Sequence, residues 1–303
     1  QWVNDFNTST IVEDYNKPWN TLKDIASYLE SGVDNNSYEG MFKGETTTSF
    51  PHNLPVLWDA NGKFSLLKST PFGNNITTDF ALAALDGEKL GEDAITDFLA
   101  VSYSSTDYVG HMFGVDSKEV QDTYIRLDLD LELLLKTLDK KVGKGEYTVF
   151  LTADHGANEV PAYLMDQKIP AGYIKSSEML NKLNEFVEYT FGTKDLIKNQ
   201  MWQNEYTKGI PYILQNGYNQ KRSGDVLLVL KPSTVGYSKT GSTHGSTFTY
   251  DTHVPLFFYG KGIKRGSTVA KTEIPDIAPT IAALLGIAFP NGATGEPIIE
   301  VLE

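Results

Sequence analysis

Tyr147-Thr-Val-Phe-Leu-Thr-Ala-Asp-His-Gly156 is a short β-branched and aromatic run that ends in an adjacent carboxylate and imidazole, with a glycine behind them. Apolar runs of this length, bounded by turn residues, read as strands. Neighbouring side chains in an extended segment point to opposite faces, so Asp154 and His155 meet one site only if the chain turns there. Gly156 supplies the turn.

Upstream, Phe98-Leu-Ala-Val-Ser-Tyr103 repeats the pattern and leads into Thr106-Asp-Tyr-Val-Gly-His111. Asp107 and His111 stand four residues apart, a spacing that brings two side chains to one face of a helical turn. Between the two runs, Val120, Tyr124, Leu127, Leu131, Leu134, Leu135 and Leu138 keep helical spacing from Ser117 up to Gly143. Strand, long helix, strand predicts a parallel pair joined right-handedly, with both carboxylate motifs at the carboxyl ends of the strands, where ligands of open α/β sheets collect. The fold class is α/β, a mostly parallel sheet flanked by helices.

Shorter signals fill in the rest. Helices are expected over Thr21–Leu29, Thr77–Leu90, Ser177–Tyr189 and Asp276–Leu285, the last closed by Gly286. Asp225–Leu230 and His253–Tyr259 read as strands, with the loop Ser242-Thr-His-Gly245 between them. Residues 160–222 change character and are expected to form a cap inserted into one domain that spans 1–303.

Composition excludes several classes. With 26 Lys plus Arg against 39 Asp plus Glu the net charge is −13, which argues against nucleic acid or an anionic membrane as partner. No run approaches the roughly 20 apolar residues that span a bilayer. The chain has no cysteine, so disulfides and thiolate metal sites are absent and His with carboxylate remain as the strong ligands. Such mixed sets suit zinc, and two sets close together suit a pair of ions handling a phosphoryl group.

Thr70-Pro-Phe-Gly-Asn, Ser104-Ser-Thr-Asp-Tyr-Val-Gly-His, Thr123-Tyr-Ile-Arg-Leu-Asp, Thr152-Ala-Asp-His-Gly, Asn216-Gly-Tyr-Asn-Gln-Lys-Arg-Ser-Gly-Asp, Thr243-His-Gly and Asp276-Ile-Ala-Pro-Thr-Ile resemble the alkaline phosphatase superfamily, over the length of the chain. The resemblance is greatest to the monomeric, periplasmic, zinc-dependent alkaline phosphatases of the flavobacterial type. It implies two zinc ions, with Asp107, His111 and His244 on the first and Asp154 with His155 supplying part of the shell of the second. It implies hydrolysis of small phosphate monoesters through a phosphothreonine or phosphoserine, in a monomer that is periplasmic or secreted. Phosphodiesterases and nucleotide pyrophosphatases of the same superfamily share every ligand named here, and a non-catalytic metal-binding domain is the alternative from another class. Related phosphomutases use manganese on similar ligands.

The family pattern also has an Asp at the end of its first strand, a Thr nucleophile at a helix start and a Lys–Arg pair for phosphate. All precede anything resembling Gln1, so the first-strand region and the nucleophile are assigned to no residue here, and this chain alone is expected to be inactive or severely impaired. The stretch around Asn204-Glu205 reads as shorter than the family's. Among the remaining polar groups, His253 is read as orienting the site rather than binding metal. His52 is read as a loop residue, and Ser105, Thr106, Thr243 and Ser246 as loop hydroxyls beside ligands. The acids of Asp128-Leu-Asp-Leu-Glu are read as a solvated helix face, and Lys221 with Arg222 as an exposed basic pair.

Overall fold

The computed structural model describes residues 1–191, 206–224 and 227–302. The chain divides into two compact units: Gln1–Gly87, Leu99–Glu132 and His155–His253 form the first, and Glu88–Phe98, Leu133–Asp154 and Val254–Glu303 the second.

The first unit is built around helices. Its apolar core gathers Trp19, Phe42, Leu54, Leu57, Leu66, Leu67, Phe72, Val109, Phe113 and Val120. The Ser105–Phe113 helix contributes Val109 and Phe113, which are 0 % and 1 % exposed. These two positions are offset by two residues from Asp107 and His111, about 200° around the helix, so burying the apolar pair turns the ligand pair outward. Each buried side chain of this kind contributes about 1.5–3 kcal/mol, enough to fix which face points to the site.

The long helix runs Lys118–Leu138, close to expectation, and Ser117 caps it by accepting the Val120 N–H at 3.1 Å. A π turn over Asp139–Gly143 ends it. Of the acids expected on a solvated face, Asp128 and Glu132 are exposed and Asp130 is not. Asp130 is buried and accepts from Asn75 Nδ2 at 2.9 Å on both oxygens. Asp122, also buried, accepts from Trp19 Nε1 at 2.7 Å, the Leu22 N–H at 2.8 Å, Tyr28 Oη and Arg126 Nε. One carboxylate thereby ties the segment 19–28 to the helix, and four donors satisfy it in place of water.

His52 lies outside helix and strand, as expected, but in an isolated backbone bridge within the core. It is fully buried, ringed by Trp19, Phe42, Phe50 and Phe113, and its two ring nitrogens meet Glu45 Oε1 at 2.7 Å and Glu119 Oε1 at 3.0 Å. Backbone bonds between Trp19 and His52 hold it there.

Two strands of the first unit, β2 Gly172–Tyr173 and β3 Thr234–Val235, pair in parallel. The second unit holds β1 Thr148–Thr152 and β4 Leu256–Gly260, which pair antiparallel with Phe150 opposite Phe258. The parallel pairing expected for Phe98–Tyr103 with β1 is not formed. Phe98–Tyr103 has no ladder partner among the described residues, and an apolar run becomes a strand only where a neighbour supplies its backbone hydrogen bonds. The Asp107 motif accordingly sits on a helix rather than at a strand end.

Other boundaries shift. The helix expected over Thr77–Leu90 starts earlier and runs Phe72–Gly87, and Ile25–Ser27 is only a 3₁₀ turn within the helix expected over Thr21–Leu29. Of the strand expected over Asp225–Leu230, the first two residues lie outside the described residues and Leu227–Leu230 forms no ladder. Ser176–Phe191 and Ile277–Leu285 are helical as expected, and Gly286 closes the latter at φ +65°. Asn204-Glu205 lies outside the described residues. No helix among those described is long and apolar enough to cross a membrane.

Candidate metal centre

Asp107 and His111 project from the same face of the Ser105–Phe113 helix, and the loop after Gly241 brings His244 to them. Asp107 lies between two imidazoles: its Oδ2 is 3.2 Å from His111 Nε2 and its Oδ1 3.6 Å from His244 Nε2. The side chains are partly open, with 36 %, 23 % and 27 % of Asp107, His111 and His244 exposed. These three are the one group of its kind among the described residues.

Local sequence explains the approach. Gly241 has φ +71°, and a Cβ there would fall 2.0 Å from the His111 carbonyl oxygen, so the loop can lie on the end of the helix only with glycine. The Gly241 N–H donates to the Tyr38 carbonyl at 2.8 Å and the Ser242 N–H to the Gly110 carbonyl at 3.2 Å. Ser242 Oγ donates to the Asn158 carbonyl, joining a third loop to the first two.

The same loop sets the tautomer of His111. A carbonyl cannot donate, so the 2.8 Å contact between His111 Nδ1 and the Ser242 oxygen requires the proton on Nδ1. Neutral His111 then presents the Nε2 lone pair toward Asp107. His155 repeats the device, its Nδ1 donating to the Gly156 carbonyl at 2.8 Å. Lone pairs facing a carboxylate repel unless a proton or cation lies between them, and the outward nitrogen held by a carbonyl is the usual arrangement of a metal-binding imidazole. The donor set, one carboxylate and two imidazoles, suits zinc.

His155 joins this cluster by stacking. Its ring lies 3.4 Å from that of His244, at 13° between planes. Burial first, then the positive charge that His155 would carry, pushes the His244 pKa down, while Asp107 opposes them. The shift favours the neutral form of His244, the form that ligates.

Asp154 is the last residue of its segment of the second unit, two residues past β1, with its side chain exposed. His253 is exposed beyond the Thr249–Thr252 helix and is not part of the cluster. Ser105 and Thr106 open the Asp107 helix rather than lying in a loop, and Thr106 Oγ1 accepts from Asn74 Nδ2 at 3.0 Å. Lys221 and Arg222 are exposed, as expected. Residues that the sequence reading passed over include Ser242 and Tyr237, whose ring lies 5.7 Å from that of His111. No local pattern marks them, because they act through a backbone carbonyl and a ring face.

Residues 6–254 match the family model of type I phosphodiesterase / nucleotide pyrophosphatase, and the chain belongs to that family, within the alkaline phosphatase superfamily. It is 42 % identical over 352 residues to a protein of Myroides odoratus named calcium-transporting ATPase, covering 100 % of this chain and 64 % of the relative. It is 38 % identical over 348 residues to alkaline phosphatase PafA of Elizabethkingia meningoseptica, covering 100 % and 63 %. The crystal structure of wild-type PafA matches with a TM-score of 0.90 and 38 % identity, over 100 % of this chain and 66 % of that one, which establishes the alkaline phosphatase fold. The chain thus spans about two thirds of the length of these relatives, and both alignments are longer than its 303 residues, so the relatives carry internal residues without a counterpart here.

Proposed function

We propose that this chain carries the metal-binding part of a zinc-dependent phosphomonoesterase. The observation that supports it most is Asp107 set between the Nε2 atoms of His111 and His244, both imidazoles partly open to solvent. A divalent ion on those three groups supplies Lewis-acid stabilisation of the charge that develops on a phosphoryl oxygen. His155 and, beside it in the chain, Asp154 are assigned to a second ion on the strength of the family resemblance, while His253 is left outside both sets.

The residues at hand define half of the chemistry. Asp107 supplies negative charge, and the Nδ1 protons of His111 and His155 are fixed on carbonyls, which leaves the Nε2 lone pairs of those two rings for ligation. The nucleophile is assigned to no residue of this chain, and 160–222 is assigned as a cap over the site. Monoesters are favoured over diesters because the PafA relative is named an alkaline phosphatase. Monomeric state and a periplasmic or secreted location complete the assignment, on the same resemblance.

The test compares zinc-dependent hydrolysis of an aryl phosphate monoester and an aryl phosphate diester by the chain and by its Asp107→Asn variant. A severely reduced rate that favours the monoester and vanishes in the variant is expected. A diester preference would move the assignment to the phosphodiesterase reading, and a robust rate would show that a nucleophile lies among these residues.

A further inference from the structure

We propose that Asp251 is a positioning residue, one that ties together the loops carrying His155 and His244 and whose charge strengthens their hold on a cation. The proposal rests on the metal-site assignment above. Asp251 sits in the Thr249–Thr252 turn of helix and is 4 % exposed. Its Oδ2 accepts the Ser246 N–H at 2.7 Å, two residues past His244. Its backbone carbonyl accepts the Gly156 N–H at 2.7 Å, next to His155. Side chain and main chain of one residue therefore grip the two loops whose imidazoles stack 3.4 Å apart. Gly156 fits beneath Tyr250 so closely that a Cβ would lie 2.1 Å from the Tyr250 carbonyl oxygen, which fixes the height of the His155 loop.

The second oxygen, Oδ1, is buried and has no hydrogen-bond donor. A carboxylate can accept about four hydrogen bonds, and one left with an unpaired oxygen in the interior is under-compensated. By Coulomb attraction its negative charge favours a cation bound at the His244 ring, which the loop it grips carries. Asp107, His111 and His155 are the other titratable groups acting on the same ring. Support of a ligating histidine by an outer carboxylate typically changes metal affinity by about 10–100-fold.

A purely structural role and this one separate in Asp251→Asn, which keeps an acceptor for the Ser246 N–H and removes the charge. Zinc affinity is read by competition with a chromophoric chelator, and the melting temperature is read on the metal-free chain. We expect affinity to fall by about 10–100-fold while the metal-free melting temperature stays within a few degrees of the unmodified chain. Asp251→Ala, which also loses the grip on Ser246, is expected to lower both. Unchanged zinc affinity in Asp251→Asn would overturn the proposal, and so would an affinity loss matched by a lower metal-free melting temperature, the mark of a residue that only holds the fold. If the unmodified chain binds zinc no better than Asp107→Asn, the metal-site assignment itself fails, and that failure is visible before any Asp251 variant is made.

Discussion

Two places in the first unit combine carboxylate and imidazole, in opposite proportions. At the open site one carboxylate, Asp107, faces two imidazoles. In the core one imidazole, His52, faces two carboxylates, Glu45 and Glu119. A single proton completes the core group, because protonated His52 donates from both nitrogens and no further ion is needed. Burial would depress its pKa, but the hydrogen bonds and charges of Glu119 and Glu45 carry it up to about 9. In the open group neutral His111 spends its one proton on the Ser242 carbonyl and has only a lone pair to offer Asp107. The ratio of donors to acceptors, more than the residue types, separates a structural polar core from a centre that calls for a metal.

Removing a ligand should have the largest effect on metal. His244→Ala and Asp107→Asn are expected to lower zinc affinity by at least the roughly 10–100-fold that loss of an outer partner brings, while His52→Gln leaves affinity near its starting value. Equal losses in all three, measured by chelator competition, would erase the distinction between the two places.

Stability should show the reverse order. His52→Ala leaves Glu119 buried without its cationic partner, a change of about 3–5 kcal/mol in denaturant unfolding of the metal-free chain. An effect below about 1 kcal/mol would mean that water or a shifted proton replaces the imidazole.

The core also predicts how stability responds to pH. His52 has its pKa raised from 6.5 to about 9, so its contribution is complete below 6.5 and is lost as pH rises through 9. Glu39, buried nearby in charge terms, is pushed from 4.5 to about 8, by burial first and then by Glu119. Because the folded state keeps that proton while the unfolded chain releases it, stability falls between those two values as well. Unfolding free energy should therefore decline steadily from pH 5 to pH 9, and Glu39→Gln should flatten the decline up to about pH 8, most fully below 6.5 where His52 adds nothing to it. A profile that rises with pH would contradict both assignments. The smallest effect belongs to His253→Ala, expected to change stability by no more than about 0.5 kcal/mol and zinc affinity not at all.

Much of the open site was legible. The spacing of Asp107 and His111 reads as one helical face, and the structure places both on the Ser105–Phe113 helix, even though the strand expected to precede it is absent. His244 lies more than a hundred residues away, and only the match to a family pattern joined it to them. The core group left no such trace. Glu45, His52 and Glu119 come from separate segments with no shared period, and the Leu–Asp alternation of the long helix hides that Asp130 faces Asn75 rather than water. Strand order was the least legible level, because β1 and β4 are alike in pattern whether they pair parallel or antiparallel, and hydrophobic alternation carries no direction.

The central claim, that Asp107, His111 and His244 form a cation site while the His52 group does not, is tested most directly by zinc bound per chain at equilibrium dialysis for the unmodified protein, Asp107→Asn and His52→Gln. The account predicts that tightly held zinc is lost in Asp107→Asn and retained in His52→Gln. Zinc retained in Asp107→Asn, or lost in His52→Gln with the fold intact, would contradict it.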